Sequence, residues 1–387
     1  MPLQPAHKIM IPNHEGTKHS NKRNGVVRAY AANTNQGLVR NYNEDRVSII
    51  LNILRPPNRT TSEEWPRCSF FGIYDGHGGS ACADYLRDNL HQFVIKEPSF
   101  PSNPKDALKN GFMQAEKKFF EMCQNDHGII DKSGSCAIVV LIVEDMCYVA
   151  NVGDSRALMS AEEGKKIFPL SRDHKPNDEL ERKRIMEAGG QIYHRTTTNV
   201  QTVTNGTPTS KELIVGPLRV LPGRLSVSRT FGDAEAKLER FGGNQNVVIS
   251  TPEIKSFRII PNEHDFIVLG CDGIFDKLSN KDTVQCVWNS VRDNKKSKPQ
   301  QATNIHKQSG MGVEYILKNS LLRRTLDNVT VVLIAFSNFK HSVFGESSKS
   351  TRETEHSKHP TLEGTNNKVK EYLEAKKHYR NENIPPQ

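Results

Sequence analysis

The sequence contains no apolar run that approaches the roughly 20 residues of a membrane-spanning helix. Hydrophobic residues make up only 35% of its 387 residues, and the mean hydropathy is -0.61. The first residues, Met-Pro-Leu-Gln-Pro, include no apolar signal region, and Pro2 stands where myristoylation requires glycine. These absences predict a soluble intracellular protein of the cytoplasm, the nucleus or both, without membrane insertion.

Paired cysteines are also missing. The seven cysteines form no Cys-x-x-Cys pair, and Cys136, Cys147 and Cys271 lie in apolar, strand-like runs. This pattern favours buried reduced thiols over zinc sites or disulfides. In addition, no His-Cys pair opens a phosphate loop that ends in arginine, which argues against a cysteine-based phosphatase.

The sequence lacks a concentrated basic patch, although its formal net charge is +9. The densest basic clusters, at residues 182–184 and 295–298, contain no interleaved aromatic residues. We interpret them as solvated surface, so no nucleic-acid partner is expected. A basic surface can still attract acidic, phosphorylated proteins.

Polar segments flank a central region of mixed strands and helices. Residues 1–24 predict a flexible arm, residues 25–337 a folded domain, and residues 338–387 a disordered tail, because the two ends carry little apolar surface. Within the tail, residues 368–379 have apolar positions near helical spacing. That segment is compatible with a docking helix or with a solvated, nascent one.

Two apolar runs, at residues 136–143 and 146–152, are separated only by Glu144 and Asp145. Such a short connection requires antiparallel pairing, because a parallel crossover needs a dozen residues or more. Helical apolar spacing occurs elsewhere, at residues 83–93 and 108–122. Adjacent strands with helices grouped apart favour a layered α+β architecture over a doubly wound sheet.

Four carboxylate-bearing motifs lie far apart in the chain, at residues 40–45, 75–79, 272–276 and 327–330. The last three adjoin short apolar runs and are therefore predicted to lie at strand ends. Carboxylates that separate strands bring to one sheet edge form an all-oxygen site, which suits Mg²⁺ or Mn²⁺ rather than zinc. Two such ions about 4 Å apart can activate water for attack on a phosphoryl group.

This set of motifs resembles that of the metal-dependent serine/threonine protein phosphatases (PPM type, or type 2C). The resemblance covers roughly residues 25–336, in the family's order, and extends to the motifs at residues 151–156, 173–176 and 225–233. It implies a four-layer α+β sandwich in which α-helices flank two central antiparallel β-sheets. It also implies an active-site flap at residues 193–223, for which a disordered insertion is the alternative.

The function implied by the resemblance is hydrolysis of phosphoserine and phosphothreonine in proteins. Water that bridges two Mn²⁺ or Mg²⁺ ions would attack phosphorus directly, without a phosphoenzyme. Phosphorylated proteins are the expected partners, and a monomer is the expected state.

The resemblance also implies the metal ligands. Asp75 would bridge both ions, the carbonyl of Gly76 would bind one of them, and Asp272 and Asp327 would complete one shell. An acidic pair, Glu44 and Asp45, would contact metal mainly through water.

Further roles follow from the same resemblance. Arg40 would bind the substrate phosphate, since a planar guanidinium meets phosphate oxygens bidentately. His77 would protonate the leaving alkoxide. Asp154 and Asp276 match positions at which some family members hold a weaker third ion. For Asp233, capping a turn and pairing with an arginine such as Arg156 or Arg229 remain open.

One stretch departs from the family pattern. Residues 321–326, Leu-Leu-Arg-Arg-Thr-Leu, replace a small glycine- or serine-containing stretch, so bulky basic groups could reshape the rim of the site.

Two other functions agree less well with the sequence. A catalytically weak or dead scaffold that binds partners should have lost a ligand carboxylate, and none is missing. A calcineurin-like nuclease would need a Gly-Asn-His-Glu block, which the chain lacks.

Overall fold

Two antiparallel sheets form the centre of the fold. The computed structural model describes residues 14–57, 59, 64–122, 131–202, 208–297 and 304–344. The first thirteen residues, Cys123 and the tail from residue 345 onward, with its predicted helical segment, lie outside the described residues. In the part that is described, no helix combines the length and the apolar character needed to cross a membrane.

The first sheet contains six strands. Their bounds are β1 Lys18–His19, β2 Ala29–Asn35, β7 Arg156–Ala161, β8 Lys166–Pro169, β13 His264–Gly270 and β14 Val329–Ala335. They are ordered β1-β2-β14-β13-β7-β8, and every neighbouring pair is antiparallel.

The second sheet lies against the first. Its bounds are β3 Arg46–Ile50, β4 Cys68–His77, β5 Gly134–Val143, β6 Met146–Val152 and β12 Glu253–Arg258, and the short β11 Phe231–Gly232 pairs with the start of β5. The order is β12-β6-β5-β4-β3. As the short connection predicts, β5 and β6 form an antiparallel hairpin, in which Glu144 adopts a positive φ of 52°.

Helices cover the outer face of each sheet. Their bounds are α1 Ala81–Lys96, α2 Pro104–Met122, α3 Glu179–Glu187, α4 Ala234–Lys237, α5 Asp272–Phe275, α6 Asn280–Ser297, α7 Ile305–Leu322 and α8 Ser337–Phe344. Helices α1 and α2 bury apolar side chains against the second sheet. Helices α6, α7 and α8 do the same against the first sheet.

Apolar side chains fill the space between the sheets. Phe71 and Val140 of the second sheet pack in one buried cluster with Ile267, Leu269 and Val332 of the first. Both faces of each sheet are therefore buried, which explains why β5, β13 and β14 are apolar at almost every position instead of alternating. This helix–sheet–sheet–helix layering confirms the predicted four-layer α+β sandwich.

Secondary structure continues beyond both predicted domain boundaries. In the segment predicted to be a flexible arm, β1 pairs with β2, and His14 and Thr17 contact Glu314 of α7. At the other end, α8 continues beyond residue 337 and buries Phe339 completely. Each end includes a few side chains that pack on the domain. The low average apolar content of these segments does not reveal such individual contacts.

The residues of the predicted flap form a β-hairpin. Strands β9 Gln191–Thr202 and β10 Pro208–Leu221 pair with each other in a separate two-stranded sheet. The interval is therefore largely strand rather than an insertion without secondary structure. Its action as an active-site flap stays a prediction.

The antiparallel order brings several strand ends to one end of the sandwich. Asp75 lies opposite Cys136 at the start of β5, while the adjacent β6 ends at Val152. In the other sheet, Gly270 pairs with Val331 near the start of β14. The acidic motifs that follow or precede these ends are therefore gathered at one edge of both sheets.

Candidate active site

Three carboxylates from the two sheets meet at this edge. Asp75 is near the end of β4, Asp154 follows β6, and Asp272 follows β13 at the start of α5. One ligand oxygen of each lies within 4.8 Å of the others. An all-carboxylate group with this spacing has the donor chemistry that Mg²⁺ or Mn²⁺ prefers.

Burial makes this group of acids electrostatically unfavourable without a cation. Burial and the charges of Asp45 and Asp272 raise the pKa of Asp75 well above its usual range. Burial and the charges of Asp154 and Asp327 do the same to the pKa of Asp272. Divalent cations would relieve this repulsion, so the residues present fit the metal ions that the resemblance implies.

Asp45 lies beneath the group and is itself buried. Burial raises its pKa to about 6, although hydrogen bonds with Thr330 and Cys271 act in the opposite direction. Its Oδ2 atom is buried and has no hydrogen-bond partner among the described residues. A buried, unpartnered carboxylate oxygen is costly, and a cation or its bound water would satisfy it.

The backbone around Gly76 leaves no space for a side chain. A Cβ atom at this position would lie 2.6 Å from the carbonyl oxygen of Glu44. The Glu44 side chain points elsewhere, since its Oε1 atom accepts a hydrogen bond of 2.6 Å from the backbone N–H of Gly79. Glu44 therefore holds the Asp75–Gly79 turn in place, which agrees with an indirect role at the metal.

Asn328 connects its own loop to the loop between β2 and β3. Its Oδ1 atom accepts from the backbone N–H of Glu44 at 2.9 Å, and its Nδ2 atom donates to the carbonyls of Gln36 and Tyr42 at 2.8 and 3.0 Å. The sequence identified Asn328 only as the neighbour of Asp327. Its full set of side-chain bonds shows that it fixes the loop that carries Arg40.

Arg40 and Asp327 form an ion pair. The Nη2 atom of Arg40 is 2.6 Å from Oδ2 of Asp327, and Oδ1 of Asp327 accepts from the backbone N–H of Asn328 at 2.8 Å. Both oxygens of Asp327 therefore have protein partners. Asp327 is not part of the three-carboxylate group, in which Asp154 stands instead, but its charge still contributes to the raised pKa of Asp272.

His77 donates a hydrogen bond to the carboxylate of Asp233. Its Nε2 atom lies 2.8 Å from Oδ2 and 3.0 Å from Oδ1 of Asp233. A Cβ atom at Gly134 would collide with both groups, at 2.4 Å from Nε2 and 2.1 Å from Oδ2, so a glycine is required beside them. Burial lowers the pKa of His77, but the charge and hydrogen bond of Asp233 raise it, with a net increase.

This contact answers the question that the sequence left open for Asp233. Arg156 pairs with Asp173 at 2.7 Å, and Arg229 pairs with Glu181 at 2.5 Å, so the partner of Asp233 is His77 rather than either arginine. Asp233 adopts φ 57° and ψ 58°, a left-handed conformation that costs an ordinary residue about 1 kcal/mol.

The loop that carries Asp233 is anchored to α2. The backbone N–H of Gly232 donates to Oε2 of Glu116 at 2.9 Å, and Glu116 forms a buried ion pair with Lys237. On the other side, the N–H of Asp233 donates to the carbonyl of Ser133 at 3.0 Å. These contacts hold the left-handed residue in position against His77.

The third predicted ion position contains a lysine ammonium group. Nζ of Lys175 lies 3.3 Å from Oδ2 of Asp154 and 3.5 Å from Oδ1 of Asp276. Asp154 is buried, whereas 57% of the Asp276 side chain is exposed. Lys175 lies in the motif at residues 173–176, but the sequence alone indicates no role for it.

The thiols near the site are reduced and buried. Cys136 and Cys271 are free and buried, like the other cysteines that the structure describes. Cys136 directs its Sγ atom towards Oδ1 of Asp154 at 3.5 Å. Burial, followed by the charges of nearby aspartates, raises the pKa of both thiols well above the usual range. The prediction of buried free cysteines is confirmed for the described residues.

With this geometry established, comparison with known proteins identifies the family. A family model described as Protein phosphatase 2C matches residues 39–311. The chain belongs to the protein phosphatase 2C family. The predicted membership of the PPM-type phosphatases is thus confirmed, and the acidic edge of the sandwich lies within the matched residues.

Curated relatives agree with this membership. The chain is 31% identical over 266 residues to a probable protein phosphatase 2C from Oryza sativa subsp. japonica, covering 69% of this chain and 76% of the relative. A probable protein phosphatase 2C from Caenorhabditis elegans is 35% identical over 225 residues, which is 57% of this chain and 54% of that protein. The chain thus spans only about half the length of that relative.

Solved structures share the fold at lower identity. The chain is similar to a serine-threonine phosphatase 2C from Toxoplasma gondii, with a TM-score of 0.57, 20% identity, and 83% of this chain and 99% of that one covered. A C. elegans sex determining protein gives a TM-score of 0.60 at 21% identity, with coverage of 88% and 70%. At such identities the likeness concerns the fold.

Proposed function

We propose that this protein is a metal-dependent serine/threonine phosphatase that hydrolyses phosphoserine and phosphothreonine in other proteins. The observation that carries the proposal is the group of Asp75, Asp154 and Asp272, whose ligand oxygens lie within 4.8 Å of one another. Membership of the protein phosphatase 2C family supports the substrate class.

The acidic edge would hold two Mn²⁺ or Mg²⁺ ions. Asp75, the carbonyl of Gly76 and the carboxylate of Asp272 would hold these ions, and Asp45 would act on them through water. When bound, such ions lower the pKa of water and polarise phosphoryl oxygens. Asp327 would complete the set through lone pairs that its contacts with Arg40 and Asn328 leave available.

Arg40 would bind and orient the phosphate of the substrate. Its guanidinium group carries a permanent charge, and 48% of the side chain is exposed, so a phosphate could reach it from solvent. Asp327 holds one edge of the guanidinium group, which leaves other N–H donors for phosphate oxygens. Arg40 is thereby presented in a defined orientation before substrate arrives.

His77 would donate a proton to the leaving serine or threonine oxygen. Asp233 favours the charged imidazolium and fixes the ring, while 35% of the His77 side chain stays accessible. A serine or threonine alkoxide is a poor leaving group and therefore needs a proton. The alternative of a catalytically dead scaffold has no observation in its favour, because each predicted acidic ligand is present.

The proposal is tested by phosphate release from a phosphothreonine peptide. With Mn²⁺ present, the wild-type protein should release phosphate, and Asp75→Asn and Asp272→Asn should lose nearly all turnover while keeping the circular dichroism spectrum of the fold. Asp88→Asn is the matched control, because Asp88 lies on α1 with 58% of its side chain exposed. Wild-type rates from Asp75→Asn or Asp272→Asn, or no hydrolysis by the folded wild-type protein, would contradict the proposal.

A further inference from the structure

Lys175 stands between two carboxylates that the family resemblance assigns to a third ion. Its ammonium nitrogen is 3.3 Å from Asp154 and 3.5 Å from Asp276, and both distances lie within ion-pair range. The charges of Asp272 and Asp173 act on it as well. The ammonium group is therefore the cation nearest to Asp154 among the described residues.

The backbone around Lys175 is attached to the turn that carries Asp154. The N–H of His174 donates to the carbonyl of Gly153 at 2.9 Å, and the N–H of Gly153 is 3.2 Å from Nδ1 of His174. His174 is fully buried. The backbone carbonyls of His174 and Lys175 are also bonded, since they accept from the N–H groups of Ser228 and Asp178.

These hydrogen bonds hold the backbone of Lys175 beside the turn that carries Asp154. The side chain of Lys175 is 31% exposed and that of Asp154 is 6% exposed, so this ion pair is only partly open to solvent.

An ammonium group in this position and a third divalent ion exclude each other. The ammonium group lies within ion-pair distance of both carboxylates, and a divalent ion would need the same oxygens at about 2.1 Å. Two cations within a few ångströms of each other also repel. The pair of Asp154 and Asp276 therefore does not fit a third ion while Lys175 remains in place.

We propose that the Lys175 ammonium group fills the third cation position between Asp154 and Asp276, so that the protein binds two divalent ions and excludes a third. The inference rests on the proposed function, because it takes the acidic edge as the site of the first two ions. It assigns Lys175 a role as a permanent internal counter-ion of Asp154.

The test is the number of Mn²⁺ ions bound per protein at saturation, measured by equilibrium dialysis with metal analysis and by calorimetric titration. Wild-type protein should bind two ions, and Lys175→Met, which removes the charge at similar length, should bind three. Lys175→Arg is the control that keeps a cation and should bind two. Adding Asp276→Asn to Lys175→Met should return the count to two.

Each outcome decides the inference. Three ions on the wild-type protein, or two on folded Lys175→Met, would overturn it. If Lys175→Met fails to fold, Lys175→Gln replaces it, and the wild-type count stands as an independent test. If the wild-type protein hydrolyses phosphopeptide but binds the same number of ions as Lys175→Met, this inference fails and the proposed function stands. A folded wild-type protein that binds no Mn²⁺ and hydrolyses nothing would overturn the proposed function as well.

Discussion

The side chain of Arg40 donates to that of Asp327 over 2.6 Å, although 287 positions separate them in the sequence. The contact joins the residue proposed to bind phosphate to a carboxylate expected at the metal. The contact therefore links the proposed phosphate-binding residue directly to the acidic edge.

Replacing Arg40 with alanine should raise KM for a phosphopeptide more than it weakens metal binding. Hydrogen bonds to a charged group contribute about 1.5–3 kcal/mol, which corresponds to a roughly 10- to 100-fold rise in KM. Metal affinity should not fall, because the substitution frees Asp327. Arg40→Lys should be intermediate. Arg258→Ala, which removes an exposed arginine that pairs with Asp145 in the same way, is the control.

The measurement is steady-state kinetics alongside Mn²⁺ titration of the same preparations. A collapse of Mn²⁺ affinity in Arg40→Ala with an unchanged KM would mean that Arg40 supports the metal site instead of binding substrate.

His77 and Asp233 lead to a prediction that depends on the leaving group. His77→Gln should slow phosphopeptide hydrolysis by ~10²-fold and p-nitrophenyl phosphate hydrolysis much less, because p-nitrophenolate is stable without a proton. Asp233→Asn should act in the same direction with a smaller effect, since it leaves the imidazole in place but removes the carboxylate 2.8 Å away. Equal losses on both substrates would reduce His77 to a structural role.

Glu181 should make the stability of the fold dependent on pH. Its side chain is 1% exposed and contacts Arg229, Arg184 and Ser228. Burial opposes its charge, but the hydrogen bonds from Arg229, Arg184 and Ser228 outweigh burial and hold the pKa of Glu181 below its usual value. A depressed pKa stabilises the fold above the unfolded-state value, near ~4.3, and this stabilisation is lost as the pH falls.

Accordingly, Glu181→Gln should destabilise the fold by about 3–5 kcal/mol at pH 7, because it leaves two arginines without their carboxylate. The difference from the wild-type protein should shrink as the pH falls below about 4. Urea unfolding at several pH values measures it. Glu187→Gln, with 66% of the Glu187 side chain exposed on the same helix, is the control. A difference that stays constant with pH would show that charge at Glu181 is not the cause.

The sequence predicted those parts of the protein that follow from local pattern. Apolar runs with short connections specify strands and their antiparallel pairing, which is why the hairpin of β5 and β6 and the layered fold were predicted correctly. Asp75 and Asp272 were also placed together, since each directly follows or ends a buried strand. Both features depend on residues that are close in sequence.

The sequence did not predict which ion-pair or hydrogen-bond partner each side chain at the site has. Asp233 and His77 are 156 positions apart, and nothing local distinguishes His77 from an arginine as the partner. Similarly, the contact between Lys175 and Asp154 accompanies a hydrogen bond between the neighbouring residues His174 and Gly153. These pairings are decided by how loops pack at the end of the sandwich. Sequence spacing does not encode that packing directly.

The C-terminal boundary of the domain should lie after α8. Phe339 is fully buried, with its ring 5.2 Å from that of Phe266 and 5.4 Å from that of Trp288. Phe339→Ala should therefore cost about 3–5 kcal/mol, and a chain that ends at residue 336 should be similarly destabilised. His341→Ala, an exposed position of the same helix, is the control. Thermal unfolding of the variants measures the loss of stability. An unchanged unfolding midpoint for Phe339→Ala would support a domain boundary at residue 337 instead.

We propose that the buried carboxylates at one edge of the sandwich hold catalytic metal ions. The most direct test is phosphate release from a phosphothreonine peptide before and after exhaustive treatment with EDTA, with residual metal measured. Chelation should abolish hydrolysis, and added Mn²⁺ or Mg²⁺ should restore it. An unchanged rate from metal-free protein would show that catalysis does not depend on these ions.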